Sequence, residues 1–401
     1  MLPTWPSTLA ISVAGMISLA VAMGVGRFAF TPLFPLMVRE GLLTSEAGAL
    51  LAASNYLGYL LGSLIAARLG LHPAALLQLG LVGIVLATAA VGWTSSLASW
   101  TFLRFLAGVL SAWSLVATSA WALEWLASRT RSHLAGTVFA GVGLGIAAAG
   151  VFCVLAARPG ISAGRMWVEL AILAGLASLV PLIVSRSRPT PIISNQSGTI
   201  PQRVYHDTDR KTGGLVVCYS LLGFGYILPA TYLPAVARQL VDDPKVFGWA
   251  WPVFGIAAAA STVIVSWGLR RLNRLHVWAT AHLFMAAGVL LPTVWLSLIS
   301  IAIAALLVGG TFMVITMIAM QEARARAEEN ATSILAQMTA GFAFGQLIGP
   351  VVTAAFGRLT ANHSLALNHA MEAAAAGLIL SAVYLWNEVR QQKQLKEHCR
   401  G

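Results

Sequence analysis

Residues 9–37 read LAISVAGMISLAVAMGVGRFAFTPLFPLM, an apolar run with one ionisable side chain, Arg27. A helix that crosses the hydrocarbon core of a bilayer needs about 20 such residues, so this run is long enough to span. Comparable runs follow at 46–67, 74–93, 97–122, 133–156, 165–185, 214–236, 247–269, 276–296, 298–321, 331–356 and 366–386. Dividing 401 residues by twelve leaves about 33 per span and connection, which suits helices joined by short loops. Strand-like alternation is absent, and in lipid a helix satisfies its own backbone hydrogen bonds. The expected fold is an all-α integral membrane protein of twelve transmembrane helices. Ala20-Val21-Ala22 mimics a signal-peptidase site, but residues 1–26 carry no Lys or Arg and the apolar run continues past it. The first span is therefore expected to be uncleaved.

Composition agrees. The chain is 58% hydrophobic and 10% charged, against about 45–50% and about 25% in a soluble domain. That excludes a soluble enzyme, a disordered chain and a nucleic-acid partner. The net charge of +11 is explained by where the charges fall. With the N-terminus in the cytoplasm, seventeen of the 25 basic residues lie in inner loops and tails, and six (Arg39, Arg158, Arg165, Arg238, Lys245 and Arg358) lie outside. This bias follows the positive-inside rule and puts both termini in the cytoplasm. Trp93, Trp100, Trp167 and Trp295 are expected at outer interfaces, and Trp125, Trp278 and Trp386 at inner ones. Cys153, Cys218 and Cys399 form no CxxC or zinc spacing, so no metal is expected.

The chain divides into residues 1–186, a polar linker at 187–212, residues 213–388 and a cytoplasmic tail at 389–401. Its halves repeat. Gly24, Gly26-Arg27, Pro35 and Arg39 recur as Gly223, Gly225-Tyr226, Pro234 and Arg238, every pair offset by 199. Gly141 and Gly145 recur as Gly341 and Gly345, followed by Gly349-Pro350, at an offset of 200. Parallel repeats of six spans each are the pattern of the major facilitator superfamily.

The chain resembles that superfamily over essentially its whole length, and its YbfB/YjiJ branch in particular. The resemblance rests on residues 24–35 (GVGRFAFTPLFP), 55–62 (NYLGYLLG) and 139–145 (FAGVGLG). It implies two six-helix bundles alternating access to a central cavity, lined mainly by spans one, four, seven and ten, in a bacterial cytoplasmic membrane. Arg104, Gly108 and Ala112 resemble the R-x-x-x-G pattern of proton-coupled members. The Gly341–Pro350 stretch resembles the glycine-rich helix of antiporters, here in span eleven rather than five. The loop after span two, GSLIAAR at 62–68, has Ala where the superfamily carries Asp.

An ionisable group at membrane depth costs about 2.5–3.5 kcal/mol or more, so each needs a reason. Arg27 follows two glycines and reads as an anion clamp, because a guanidinium grips a carboxylate or phosphate with two parallel bonds. The plainer alternative is an arginine satisfied by carbonyls or by a structural ion pair. Arg104, Glu169 and Glu372 fall at a similar depth and are the candidates for coupling or intramembrane ion pairs, with a structural or interfacial role as the other reading of the two glutamates, whose spans six and twelve scaffold the fold in the superfamily this chain resembles. Asn55 and Tyr59 share a face of span two, and Tyr219, Gly223 and Tyr226 one of span seven. With Arg27 and Gln346 they are the substrate-pathway candidates, Tyr226 standing at the repeat position of Arg27. Gly24, Gly26, Gly58, Gly62, Gly141, Gly145, Gly341, Gly345, Gly349 and Pro350 are read as packing or hinge positions.

No phosphate-binding loop, dinucleotide fingerprint or metal motif is present. The expectation is a monomeric secondary transporter of a small organic or amphipathic solute, with no cofactor beyond a proton gradient. Export against protons is preferred over uptake or uncoupled diffusion. An intramembrane lipid-modifying enzyme would need a nucleophile–base pair or metal site, and none is evident. A sensor would need a soluble output domain, which the tails and linker are too short to form.

Overall fold

The computed structural model describes residues 6–156, 160–186, 205–240, 244–268, 271–327, 331–360 and 363–398. These residues contain no strand, and twelve of their helices are long and apolar enough to cross a membrane. They are α1 Thr8–Arg39, α2 Glu46–Ala66, α3 Pro73–Trp93, α4 Leu97–Ser128, α5 Ser132–Ala156 and α6 Ala163–Val184, then α7 Thr212–Tyr232, α8 Trp249–Gly268, α9 Arg274–Val294, α10 Leu298–Arg326, α11 Ala331–Leu359 and α12 Leu365–Gln394.

Local chemistry sets several helix starts. The side chains of Thr44, Ser96, Ser162, Asn273 and Ser297 each accept a hydrogen bond from a backbone N–H of the first turn, removing a donor that would otherwise lie unpaired near lipid. Gly41, with φ of 72°, turns the chain after α1.

Several helices run further than hydropathy indicates, α4 to Ser128 and α10 to Arg326 among them, and two overrun most. The helix containing α7 begins at Tyr205, so residues 205–212 are helix rather than linker, while 187–204 lie outside the described residues. The helix containing α12 continues to His398. Once a span has nucleated a helix, each further turn is cheap to add. Composition marks only where lipid ends.

The helices pack as two sets of six. In the first half α1 packs on α5, α2 on α4, and α3 on α4 and α6. In the second half α7 packs on α11, α8 on α10, and α9 on α10 and α12. Each pair is its counterpart advanced by six helices, so the weak sequence repeat is a repeat of packing. The halves meet where α5 packs along α8 and α2 packs along α11, with further contacts of α4 and α5 on α10 and of α4 on α11.

The outer surface is apolar. Ile172, Leu173, Leu176, Leu179 and Ile183 of α6 are all more than half exposed, a costly face in water and a neutral one in lipid. The tryptophans depart from the expected belts. Trp93 and Trp295 are exposed, but Trp100, Trp125, Trp167 and Trp278 are buried. The indole N–H of Trp100 donates to the Val91 carbonyl at 3.1 Å, and Trp278 donates to His282 at 3.2 Å. An indole near a helix end can face either the lipid or the next helix, and depth along the sequence does not distinguish them.

Candidate functional site

The site begins with an irregularity in α1. Between two α-helical segments, residues Ala20–Phe28 form a π-helix. A π segment is wider than an α-helix, with i→i+5 rather than i→i+4 hydrogen bonds. Pro32, just beyond it, has no N–H to return to the carbonyls one turn back. Neighbouring helices supply the donors. Ser111 Oγ on α4 donates to Ala22 O at 2.8 Å. Arg104 on α4 donates to Gly26 O at 3.2 Å and to Arg27 O at 3.0 Å. Asn55 Nδ2 on α2 donates to Arg104 O at 2.8 Å and to Gly26 O at 3.4 Å. Arg104 and Asn55 thus act as braces that hold the irregular turn of α1 against α2 and α4.

The brace depends on close backbone approach. A Cβ on Gly24 would lie 2.5 Å from the Gly145 backbone, and Gly141 and Gly145 sit against the Met16 and Ala20 carbonyls. Gly26 packs on Ser111 and Ile84. Gly58 and Gly62 meet the backbone of α4 at Phe105 and Val109. In the second half Gly223 meets the Phe342 backbone, Gly345 meets Ser220 and Phe224, Gly341 meets Val216 and Ser220, and Gly349 meets Ile227. Pro350 is exposed on α11. The α1–α5 and α7–α11 seams are therefore the same glycine contact made twice. The side chains of Pro234 and Arg238, which complete the sequence repeat, lie outside the described residues.

The braced turn presents Arg27, 3% exposed, towards the other half of the molecule. Its guanidinium stacks on the Tyr59 ring, 3.8 Å from the centroid, with Phe28 and Tyr56 at 5.6 and 5.7 Å. Its Nη2 donates to Gln346 Oε1 on α11 at 2.7 Å. Gln346 is fully buried, so this bond ties the two halves at the centre of the molecule. Beside it, Met23, Phe28, Tyr59, Tyr219, Phe312 and Phe342 help to enclose a space of about 20 Å³. The Tyr219 hydroxyl donates to Thr316 Oγ1 at 3.2 Å. Tyr226 stacks on Phe312 at 4.8 Å, and Phe312 is followed by Phe254 and Trp251 at 5.5 and 5.6 Å, a column of parallel rings on the second half. The edge of Trp251 reaches Phe28 of α1 at 6.2 Å.

Glu169 and Glu372 do not join this centre. Glu169 pairs with Arg165 of its own helix at 2.8 Å, and Glu372 with His369 at 3.1 Å. Their side chains are 34% and 55% exposed. Neutralisation of the two buried arginines by these carboxylates is thus contradicted. Each group instead faces away from the centre, and a partner one turn away on its own helix satisfies it. Among the described residues no carboxylate lies within 4 Å of Arg27 or Arg104.

Several buried atoms of the centre remain without a hydrogen-bond partner: Arg27 Nε and Nη1, Arg104 Nε, Gln346 Nε2, Tyr59 Oη and Asn55 Oδ1. Sequence reasoning missed Tyr56, Phe312, Thr316 and Phe342. Thr316, on span ten, was the most accessible, because it is a polar residue on a span that the resemblance places at the cavity.

The family model described as "Uncharacterised MFS-type transporter YbfB" matches residues 19–385. No curated protein sequence matches the chain. Among solved structures, the human organic anion transporter MFSD10 (TETRAN) has the same fold, with a TM-score of 0.71 at 14% identity, covering 95% of this chain and 100% of that one. A multi-pass helical chain with repeated halves, matched along nearly all its length by this family model, belongs to the YbfB-type family of major facilitator superfamily transporters.

Proposed function

We propose that this protein is a secondary transporter that moves a small organic or amphipathic solute by alternating access, acting as a monomer in a bacterial cytoplasmic membrane with both termini inside. The carrying observation is the Arg27–Gln346 bond. It joins one half to the other through buried polar groups at the centre of the molecule, apart from the polar contacts at one end of the seam. Membership of a transporter family supports the class of function. The basic residues at 129, 131, 324, 326 and 390 support the orientation.

The proposed direction is export driven by protons, supported by the Arg104–Gly108–Ala112 pattern and the glycine face of α11. One observation favours a second reading, uptake or uncoupled diffusion. A proton-coupling site ordinarily uses a carboxylate whose pKa changes with its partners, and among the described residues the centre holds none near its arginines. The test is flux from proteoliposomes loaded with a panel of small acids, amines and neutral solutes, with an imposed pH gradient. Gradient-dependent export of at least one solute is expected. Equal rates with and without the gradient select the uncoupled reading, and no flux for any solute rejects transport.

A further inference from the structure

We propose that the central site takes an organic monoanion, whose carboxylate meets Arg27 and whose flat apolar body lies against the aromatic wall of the second half. The proposal rests on the reading of this centre as the transport site and names its substrate class.

The unpartnered atoms decide the chemistry. Four of the six buried unpartnered atoms of the centre, Arg27 Nε and Nη1, Gln346 Nε2 and Arg104 Nε, are N–H donors and three of these four belong to charged groups, while the other two are Asn55 Oδ1, an acceptor, and Tyr59 Oη, which can donate or accept. A buried unpaired donor costs free energy, and charged donors cost the most. A carboxylate is acceptor-only and takes two parallel bonds from a guanidinium. An ammonium would bring donors and a repelling charge. A neutral amide would offer a single acceptor oxygen without charge and add two donors of its own. Gln346 Oε1, at 2.7 Å from Arg27 Nη2, holds the position of one acceptor oxygen. The chain's own amide stands in for the anion while the centre is closed.

The rest of the site fits the other end of such a molecule. Tyr59 lies flat on Arg27. Tyr219, Phe312 and Phe342 border the adjoining space, and Tyr226 stacks behind Phe312. That space, about 20 Å³, holds about one water. A solute enters only when α1 and α11 part and the Arg27–Gln346 bond opens. The anion then replaces a direct contact between the halves, so that binding and the movement of the halves share the same atoms.

The test is binding, read without transport. Thermal unfolding of the purified full chain in detergent is followed with benzoate, phenylacetate and 3-phenylpropionate, and with phenylacetamide and phenethylamine as shape-matched neutral and cationic probes. Carboxylates are expected to raise the midpoint by about 2 °C or more at saturating concentration, by binding the native state. The amide and the amine are expected to bind at least tenfold more weakly. Arg27→Gln removes the shift. Gln346→Glu supplies the carboxylate from within, so it is expected to raise the ligand-free midpoint and abolish the shift. It decides the matter if Arg27→Gln fails to fold. The proposal is overturned by equal stabilisation from the amine or amide, by a carboxylate shift that survives Gln346→Glu, or by no shift from any carboxylate. Carboxylate binding without flux in proteoliposomes would keep the anion site and reject transport. Flux of amines or neutral solutes alone would keep transport and reject the anion.

Discussion

Arg27 and Arg104 are both arginines in the first half's membrane interior, and the structure gives them different work. Arg104 spends its guanidinium on the Gly26 and Arg27 carbonyls of the π-helical stretch. Arg104→Met is expected to destabilise the protein by about 2 kcal/mol or more, since it removes two charge-assisted bonds and leaves carbonyls unpaired. Unfolding in detergent checks this, and an unchanged midpoint would dismiss the brace. Arg104→Lys recovers at most part of the loss, because an ammonium cannot span two carbonyls as a planar fork does. Tyr59 separates ring from hydroxyl. Tyr59→Phe keeps the ring over Arg27 and should cost little, whereas Tyr59→Leu should cost about 1–2 kcal/mol of cation–π contact with Arg27. Both are read from unfolding midpoints. The unusual character of Arg27 was legible in the sequence as one charge in a long apolar run. Gln346, 319 residues away, was legible as a substrate-pathway candidate in span eleven but not as the partner of Arg27. Contact at that separation is a property of packing.

At the scale of elements, α1 is one span in the sequence and three segments in the structure, with the π-helix Ala20–Phe28 between α-helical ends. The glycines of this stretch were legible as a close-packing face, and the second half repeats it at Gly223 and Gly345. Helical widening was not legible, because glycine permits several backbone paths and the neighbours choose among them. Gly145→Val and Gly345→Val are expected to act alike. Each pushes a side chain into the backbone of the helix it crosses, at Ala20 in α1 and at Ser220 in α7. A severe fall in folded yield of both variants, seen as loss of the monodisperse peak in size-exclusion chromatography, is the expected result. Normal yield from either would show that its seam can open without cost.

At the scale of the whole molecule, the halves close against each other along α5–α8 and α2–α11. One end is pinned by polar contacts. The Ser266 hydroxyl donates to the His133 carbonyl, the Gly136 N–H donates to Ser266 Oγ at 3.1 Å, and Gln321 Nε2 donates to the Ser132 carbonyl at 3.0 Å. Alternating access requires these contacts to separate in every cycle. Ser132→Cys with Gln321→Cys, in a chain whose three native cysteines are replaced, should therefore stop transport when joined by a short thiol cross-linker and recover it on reduction. Transport at full rate in the cross-linked protein would exclude parting of the halves at this end. Nearby, Arg326 reaches Glu322 at 2.9 Å and Glu388 at 2.7 Å, joining α10 to α12 within the second half. Basic residues counted only as markers of the inner face also hold that end of the bundle together.

The sequence alone determined the number of spans, most of their ends to within a few residues, the twofold internal repeat and the family. These follow from local quantities: the length of apolar runs and the spacing of glycines along one chain. Tertiary structure decided the partners. It turned Glu169 and Glu372 outward to their own helices, buried four tryptophans expected at interfaces, and brought Arg27 to Gln346 in a centre whose unpaired polar atoms are mostly donors. The reason is geometric. Hydropathy fixes how deep a residue lies along the membrane normal, but the direction it faces around its helix is set by which other helices press against that side.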